Sequence, residues 1–150
     1  MIIQEIYDHM GAHAYVDGSF NSTTFTYGSG VCFIYNNEIV WNKSLSGNDP
    51  ILAKQRNVAG EMRAAMAAVA FALSNNYGHI YIHYDYSGIE NWVTGSWKRN
   101  NEFTQRYHEF MNNACMQGLV IKFRKVKAHS SDRFNDEADR LAKIGCGLLG

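Results

Sequence analysis

Four acidic residues, Asp17, Glu61, Asp85 and Asp139, stand in contexts that could gather carboxylates around metal ions. Asp17 ends the apolar run Ala14-Tyr15-Val16 and precedes Gly18-Ser19. Glu61 follows Asn57-Val58-Ala59-Gly60 at the start of a helix-like stretch. Asp85 closes the strand-like run His79-Ile80-Tyr81-Ile82-His83-Tyr84, and Asp139 lies in Asn135-Asp136-Glu137-Ala138-Asp139-Arg140-Leu141-Ala142. Two carboxylates ~4 Å apart repel by ~4 kcal/mol at an effective dielectric near 20. Four crowded together must take up protons or cations. All-oxygen donors select hard cations, Mg²⁺ first and Mn²⁺ as a substitute. Two such ions ~3.5–4 Å apart can hold the attacking and leaving oxygens of a phosphodiester. The chemistry implied is in-line attack of water on phosphorus.

Each acid also has a plainer explanation. Asp139 can pair with Lys143 and Asp136 with Arg140, each four residues on, for ~0.2–0.5 kcal/mol. Asp17 before Gly18 can be a turn residue, and Asp85 can cap a following helix. Glu61 has no basic residue four positions away on either side. His129 sits between a strand-like and a helix-like run, six residues before Asn135. Beside a metal centre such a loop histidine could shuttle a proton or assist product release. His79 and His83 read as packing or hydrogen-bonding residues, because no third zinc ligand accompanies them. Gly28-Ser29-Gly30 lies inside a strand run and lacks phosphate-loop spacing. No GxSxG nucleophile elbow occurs.

The elements that must position these residues can be read in order. Residues 12–19, 27–35 and 38–45 read as strands, the last two joined by Asn36-Asn37, a pair tolerant of positive φ. The three predict an antiparallel meander. Residues 58–74 read as a helix with Met62, Met66, Val69 and Leu73 on one stripe. Glu61, Ala65, Ala68 and Ala72 form the next stripe, which lets the helix approach a sheet and places Glu61 in its first turn. A strand at 79–85 is followed by helices at 88–94 and 102–117, a strand at 119–126 and a helix at 132–144. The order βββαβααβα predicts a mixed α/β sheet with flanking helices. Strands joined through helices should be parallel. If the first and fourth strands are neighbours, Asp17 and Asp85 emerge at a topological switch point.

A chain of 150 residues suits one domain. With 46% hydrophobic and 19% charged residues, disorder is not expected. Apolar stretches are too short to span a bilayer, and the start lacks signal-peptide character, so a cytoplasmic location is the default expectation. Cys32, Cys115 and Cys146 form no CxxC pair and read as buried reduced thiols. Fourteen Lys+Arg balance fourteen Asp+Glu, so positive charge for nucleic acid must be local. The candidates are Lys122-Phe123-Arg124-Lys125-Val126-Lys127 and Trp97-Lys98-Arg99. Taken alone, each reads more readily as a solvated strand edge or helix face.

Taken together, Tyr15-Val16-Asp17-Gly18-Ser19, Asn57 with Glu61, Tyr84-Asp85, and Lys127-Ala128-His129 through Asn135 to Ala142 resemble the type 1 ribonuclease H family. The resemblance runs from about Ala12 to Lys143. It implies a ribonuclease H-like fold, a five-stranded mixed sheet in strand order 3-2-1-4-5. Residues 12–147 would be the catalytic domain and 1–11 an N-terminal extension. It implies metal-dependent endonucleolytic hydrolysis of the RNA strand of RNA/DNA hybrids by a two-metal-ion mechanism, leaving 3′-hydroxyl and 5′-phosphate ends. Asp17, Glu61, Asp85 and Asp139 would bind two Mg²⁺ ions, and His129 would belong to the catalytic loop. Gly18, Ser19, Asn21, Asn57, Trp92 and Asn135 would contact substrate, with Trp92 near the DNA strand. A 2′-hydroxyl is the group that separates RNA from DNA at one site, so hybrid is a physically reasonable substrate.

The chain departs from the family pattern in places. Tyr86 replaces a common serine after the third acid, and the basic handle that often follows Trp97-Lys98-Arg99 is missing. Ser131 replaces a frequent glycine, and Asp136 a frequent glutamate. The Asp85-Tyr86-Ser87-Gly88-Ile89 pattern is similar to a bacterial subgroup that often carries an N-terminal hybrid-binding domain, expected to be absent here. Weak hybrid binding by a monomer without membrane contact is therefore the expectation. Two other readings stay open. One is a nuclease of the same fold acting on DNA, of resolvase or exonuclease type. The other is a non-catalytic nucleic-acid-binding module, against which the retained carboxylates argue.

Overall fold

The computed structural model describes residues 10–126 and 132–150. Its centre is a five-stranded sheet in the order β3-β2-β1-β4-β5. The strands are β1 (Ala12–Asn21), β2 (Thr26–Tyr35), β3 (Glu38–Gly47), β4 (His79–Tyr84) and β5 (Val120–Lys125). The helices are α1 (Asn57–Ser74), α2 (Gly88–Thr94), α3 (Glu102–Met116) and α4 (Arg133–Gly145). The β1–β2 and β2–β3 pairs are antiparallel, and β4 runs parallel to both β1 and β5. The meander, the helices and the strand order follow the reading of the sequence. Asn36 and Asn37 have φ of 50° and 69°, the two positive values that a tight hairpin turn demands.

Two details differ. A short 3-10 helix at Leu52–Gln55 occupies the stretch around Pro50 that carries only loop signals. Helix α1 starts at Asn57, so Glu61 is its fifth residue and lies beyond the first turn. The helix dipole is therefore not what holds that carboxylate. The capping residue, Arg56, has φ 56° and ψ −130°, a strained conformation for a residue with a Cβ. Its guanidinium lies 4.7 Å from the Phe20 ring centroid.

The sheet has a different partner on each face. Ala12, Ala14 and Val16 of β1 alternate with His13 and Tyr15, as strand geometry requires. The first set joins Val31, Phe33, Ile80 and Ile82 in the main core beneath α1. There Ala64, Ala65, Ala68 and Ala72 are fully buried, so the alanine stripe is the face that meets the sheet. Tyr15, Cys32 and Ile34 pack against Phe134 and Ala138 of α4 on the opposite face. Cys32 and Cys146 are buried thiols, as expected, whereas Cys115 is exposed on α3. Among the described residues, no helix is long and apolar enough to cross a membrane.

Both helices come unusually close to the strands. A Cβ on Gly28 would lie 2.0 Å from the Ala142 carbonyl oxygen, and one on Gly30 would lie 2.0 Å from that of Ala138. On the other face a Cβ on Gly60 would lie 2.0 Å from the Gly28 oxygen. A Cβ on Gly18 would lie 2.0 Å from the Asn57 oxygen and 2.4 Å from the Glu61 nitrogen. Because each obstacle is backbone, a methyl group can be fitted only by moving a helix. Gly30→Ala should therefore cost at least ~2–3 kcal/mol in denaturant unfolding, as overpacking does. Gly78→Ala, where a Cβ meets nothing within 4 Å, is the matched control and should be near neutral.

Candidate active site

Strand register brings the first and third acids together. Tyr15 pairs with His83 at the last parallel rung of β1 and β4. Asp17 and Asp85 each lie one pleat further on. Here β1 continues with β2 alone, to Asn21, while β4 ends at Tyr84. Asp17 faces Gly30 across the β1–β2 pair. That glycine admits the α4 backbone at Ala138, which sets Asp139 beside Asp17. The electrostatics show the result. Burial pushes the Asp17 carboxyl up to about 7; the Gly18 N–H, 2.9 Å away, opposes the shift, and Asp139 and Asp85 add to it.

Glu61 arrives from the other side of the sheet. It is 2% exposed, and one oxygen accepts the backbone N–H groups of Asp85 at 2.9 Å and Tyr86 at 3.1 Å. Burial pushes its carboxyl up to about 8, against those two hydrogen bonds and with the charges of Asp17 and Asp85. Glu61 thus fixes the chain that carries Asp85.

The plainer explanations can now be weighed. Asp17 lies within a strand and not in a turn, and Asp85 does not cap α2, whose N-terminus has no side-chain cap. Asp139 does pair with Lys143 at 3.0 Å, making that ammonium a counterion of the cluster. Arg140 pairs with Glu137 at 2.6 Å and not with Asp136. The donors are carboxylate oxygens, two of them held at raised pKa, so protons occupy a place that cations could take. Among the described residues, no three metal-binding side chains close on one point. Carboxylate oxygens are hard donors, the kind that divalent cations such as Mg²⁺ take. The residues therefore fit a hard divalent cation.

Neighbouring groups hold this frame. Asp132 caps α4 through the N–H groups of Phe134 at 2.8 Å and Asn135 at 3.3 Å, and accepts the Tyr15 hydroxyl at 3.3 Å. Tyr15 stacks on His83 with ring centroids 4.1 Å apart. His83 Nε2 lies 2.8 Å from His13 Nδ1, and His13 Nε2 lies 3.1 Å from the Met10 oxygen. A carbonyl only accepts, so His13 donates through Nε2 and receives the His83 Nε2–H at Nδ1. Burial, His13 and Arg124 push His83 down to about 4, which favours its neutral form. The expectation that His83 is a hydrogen-bonding residue is met, and its partner is a histidine that the sequence reading did not single out.

The other expected residues are distributed unevenly. Gly18 serves the helix approach, and Ser19 is half-buried on β1. The Asn21 amide nitrogen donates to the Cys146 oxygen at 3.0 Å while its oxygen accepts the Thr23 N–H at 3.1 Å. Asn57 is exposed at the start of α1, and Asn135 is half-buried in the first turn of α4. Trp92 is only 8% exposed and belongs to the main core. His129 lies outside the described residues. The sequence reading missed Tyr86, although its departure from the family's serine was a signal, and the contact of Lys125 Nζ with Ser87 Oγ at 3.0 Å.

Comparison with known proteins gives this geometry a lineage. Residues 10–147 match the RNase H family model. Human Ribonuclease H1 is 34% identical over 103 residues, covering 61% of this chain and 36% of that protein. The chain thus spans about a third of the length of that relative. Ribonuclease H of Parvibaculum lavamentivorans is 30% identical over 142 residues, covering 87% of this chain and 89% of that one. Among solved structures, LC11-RNase H1 in complex with RNA/DNA hybrid superposes with a TM-score of 0.73 at 14% identity, covering 91% and 97% of the two chains. At that identity the superposition speaks for the fold. With the family model matching nearly the whole chain, the protein belongs to the RNase H family.

Proposed function

We propose that this chain is a ribonuclease H that hydrolyses the RNA strand of RNA/DNA hybrids with two divalent cations, Mg²⁺ or Mn²⁺ as a substitute. The family is generally dependent on divalent metal ions. The observation that carries the reading is electrostatic: Asp139 and Asp85 both act on the raised Asp17 carboxyl, and Asp17 and Asp85 on the buried Glu61, beside the sheet's switch point. A binding module has no use for such a cluster, which without cations repels phosphate.

Asp17, Glu61, Asp85 and Asp139 would hold the ions, which when bound supply charge neutralisation and a water of lowered pKa. Asp17, on which both Asp139 and Asp85 act, would be the central ligand. Glu61 orients Asp85 through its backbone N–H. Water attacks phosphorus, the bond to the 3′ oxygen breaks, and that oxygen leaves with a proton, giving 3′-hydroxyl and 5′-phosphate ends. Lys143 must exchange its partner when a cation binds Asp139. His129 is proposed to assist proton transfer or product release. Gly18, Ser19, Asn21, Asn57, Trp92 and Asn135 are proposed to form the surroundings of the hybrid. A monomer in the cytoplasm belongs to the same proposal.

The test is cleavage of an end-labelled RNA/DNA hybrid with Mg²⁺, Mn²⁺ or EDTA, beside duplex DNA and duplex RNA. RNA-strand cleavage that requires metal is expected. Asp17→Asn should lower it by at least ~10³-fold, because several kcal/mol of charge stabilisation pass through the ions. Cleavage of duplex DNA alone would overturn the substrate.

The same substitution has a separate effect on stability. A carboxyl whose folded pKa is raised contributes its full stability below the unfolded pKa, and this is lost as pH rises through the folded value. For Asp17 the loss runs from about pH 4 to about 7. In EDTA at pH 8, Asp17→Asn should therefore be more stable than wild type, by ~1–2 kcal/mol. The gain should shrink as pH falls towards 4. Thermal melts at the two pH values check this, and equal stability at both would show that the carboxylates are not strained.

A further inference from the structure

Tyr86 follows Asp85 directly, and its backbone N–H donates to Glu61, so its main chain is anchored to the carboxylate cluster. Its ring turns onto two tryptophans. The centroids of Tyr86 and Trp97 lie 5.8 Å apart with planes at 79°, those of Tyr86 and Trp92 lie 5.7 Å apart, and those of Trp92 and Trp97 lie 5.9 Å apart. Gly88 forms the floor, since a Cβ there would lie 2.6 Å from Tyr86 Cε2 and 2.7 Å from Trp92 Cζ3. Exposure separates the three rings. Trp92 is 8% exposed, while Tyr86 is 37% and Trp97 is 38%. Trp92 is thus the wedge that holds the other two at the surface. The Tyr86 hydroxyl has no hydrogen-bond partner among the described residues. Two cations belong to the same stretch: Lys125 Nζ donates to Ser87 Oγ, next to Tyr86 in the chain, and the exposed Lys98 follows Trp97.

An exposed aromatic ring beside cations matches a sugar–phosphate chain, the ring taking an apolar face and the cations the phosphates. We propose that Tyr86 is a substrate-contact residue, packing its ring against the bound duplex where the sugar–phosphate chain leaves the carboxylates. The inference rests on the hybrid-nuclease reading and adds a residue to it. A flat ring at this place supplies contact area that a serine could not, in a chain with no net charge and without the basic handle. The ring carries the contact, and the hydroxyl is secondary.

The experiment uses the full chain and a fluorophore-labelled RNA/DNA hybrid. Equilibrium binding is measured in EDTA, and kcat and KM in Mg²⁺, for wild type, Tyr86→Phe, Tyr86→Leu and Tyr86→Ser. Tyr86→Ser should weaken binding ~5–20-fold, the usual scale for losing one aromatic stack. KM should rise by the same factor with kcat within about twofold of wild type. Tyr86→Phe should bind like wild type. Tyr86→Leu keeps bulk over Gly88 should the serine variant not fold, and it should lose most of the same affinity. Wild-type affinity in Tyr86→Leu overturns the proposal, as does a fall in kcat with binding unchanged, which would mean that Tyr86 only positions Asp85. Because binding is read without metal, a Tyr86-dependent affinity without any hydrolysis would sink the hydrolase reading and leave this contact standing.

Discussion

Backbone-to-backbone approach of two helices to one pair of strands is the constraint on which the structure depends. Gly28 is pressed from both faces. Its own missing Cβ makes room for Ala142 of α4, and its carbonyl lies where a side chain on Gly60 of α1 would be. Gly145 repeats the arrangement at the Leu45 oxygen, where a Cβ would come within 2.1 Å. Where the side-chain layer is removed, helix and strand backbones come into direct contact. Only at this distance can Glu61 from above the sheet and Asp139 from below reach the ends of the same strands. The glycines inside β2, which weaken a strand on its own, are therefore part of the site's construction.

The site inverts the usual priority of stability. Two carboxyls are buried close to other acids, and both are pushed well above their ordinary range. What holds them is backbone. Glu61 is clamped by two N–H groups and Asp17 by one. Main-chain hydrogen bonds leave the remaining carboxylate lone pairs directed elsewhere, which is the requirement for ligands that must bind a cation. The neutral elements around them do the opposite work. His83 is pushed towards its neutral form and hydrogen-bonds His13, and Asp132 uses its charge on the α4 N-terminus, where the helix dipole favours it. The charge of Asp17 and Glu61 is thus left for a ligand to compensate.

Much of this was legible in the chain because it follows from periodicity. The alternation in β1 and the alanine stripe of α1 set the two faces, and Asn36-Asn37 set the hairpin. Asp17 and Asp85 could be paired on paper once β1 and β4 were taken as neighbours. The rest depends on three-dimensional coincidences that spacing does not encode. Nothing around Glu61 in sequence announces that its partners are the amides of Asp85 and Tyr86, 24 and 25 residues away. Gly28 and Gly30 could be recognised as belonging to a strand, but the helix they admit lies more than a hundred residues further on. Trp92 illustrates a limit of resemblance. Its position matches the family, yet only 8% of it is exposed, and the more exposed rings beside it are those of Tyr86 and Trp97.

That division of labour bears on how a neutral protein can hold a polyanion. Long-range attraction scales with net charge, and here Lys+Arg and Asp+Glu cancel. Short-range contact does not need net charge. A ring held edge-on by Trp97 and tilted against Trp92 loses little conformational freedom on binding, so more of its contact energy appears as affinity. Trp92 contributes by restricting its neighbours, since it is locked into the core from below and bounded by Gly88 beneath. Lys125, at the end of β5, adds a cation at a place set by strand pairing with β4, next to the same loop. Binding built this way should depend less steeply on salt than binding by a basic handle, because few counterions are released. The same sheet end that positions the acids for chemistry thereby positions the rings for recognition, and one strand, β4, carries the chain into both.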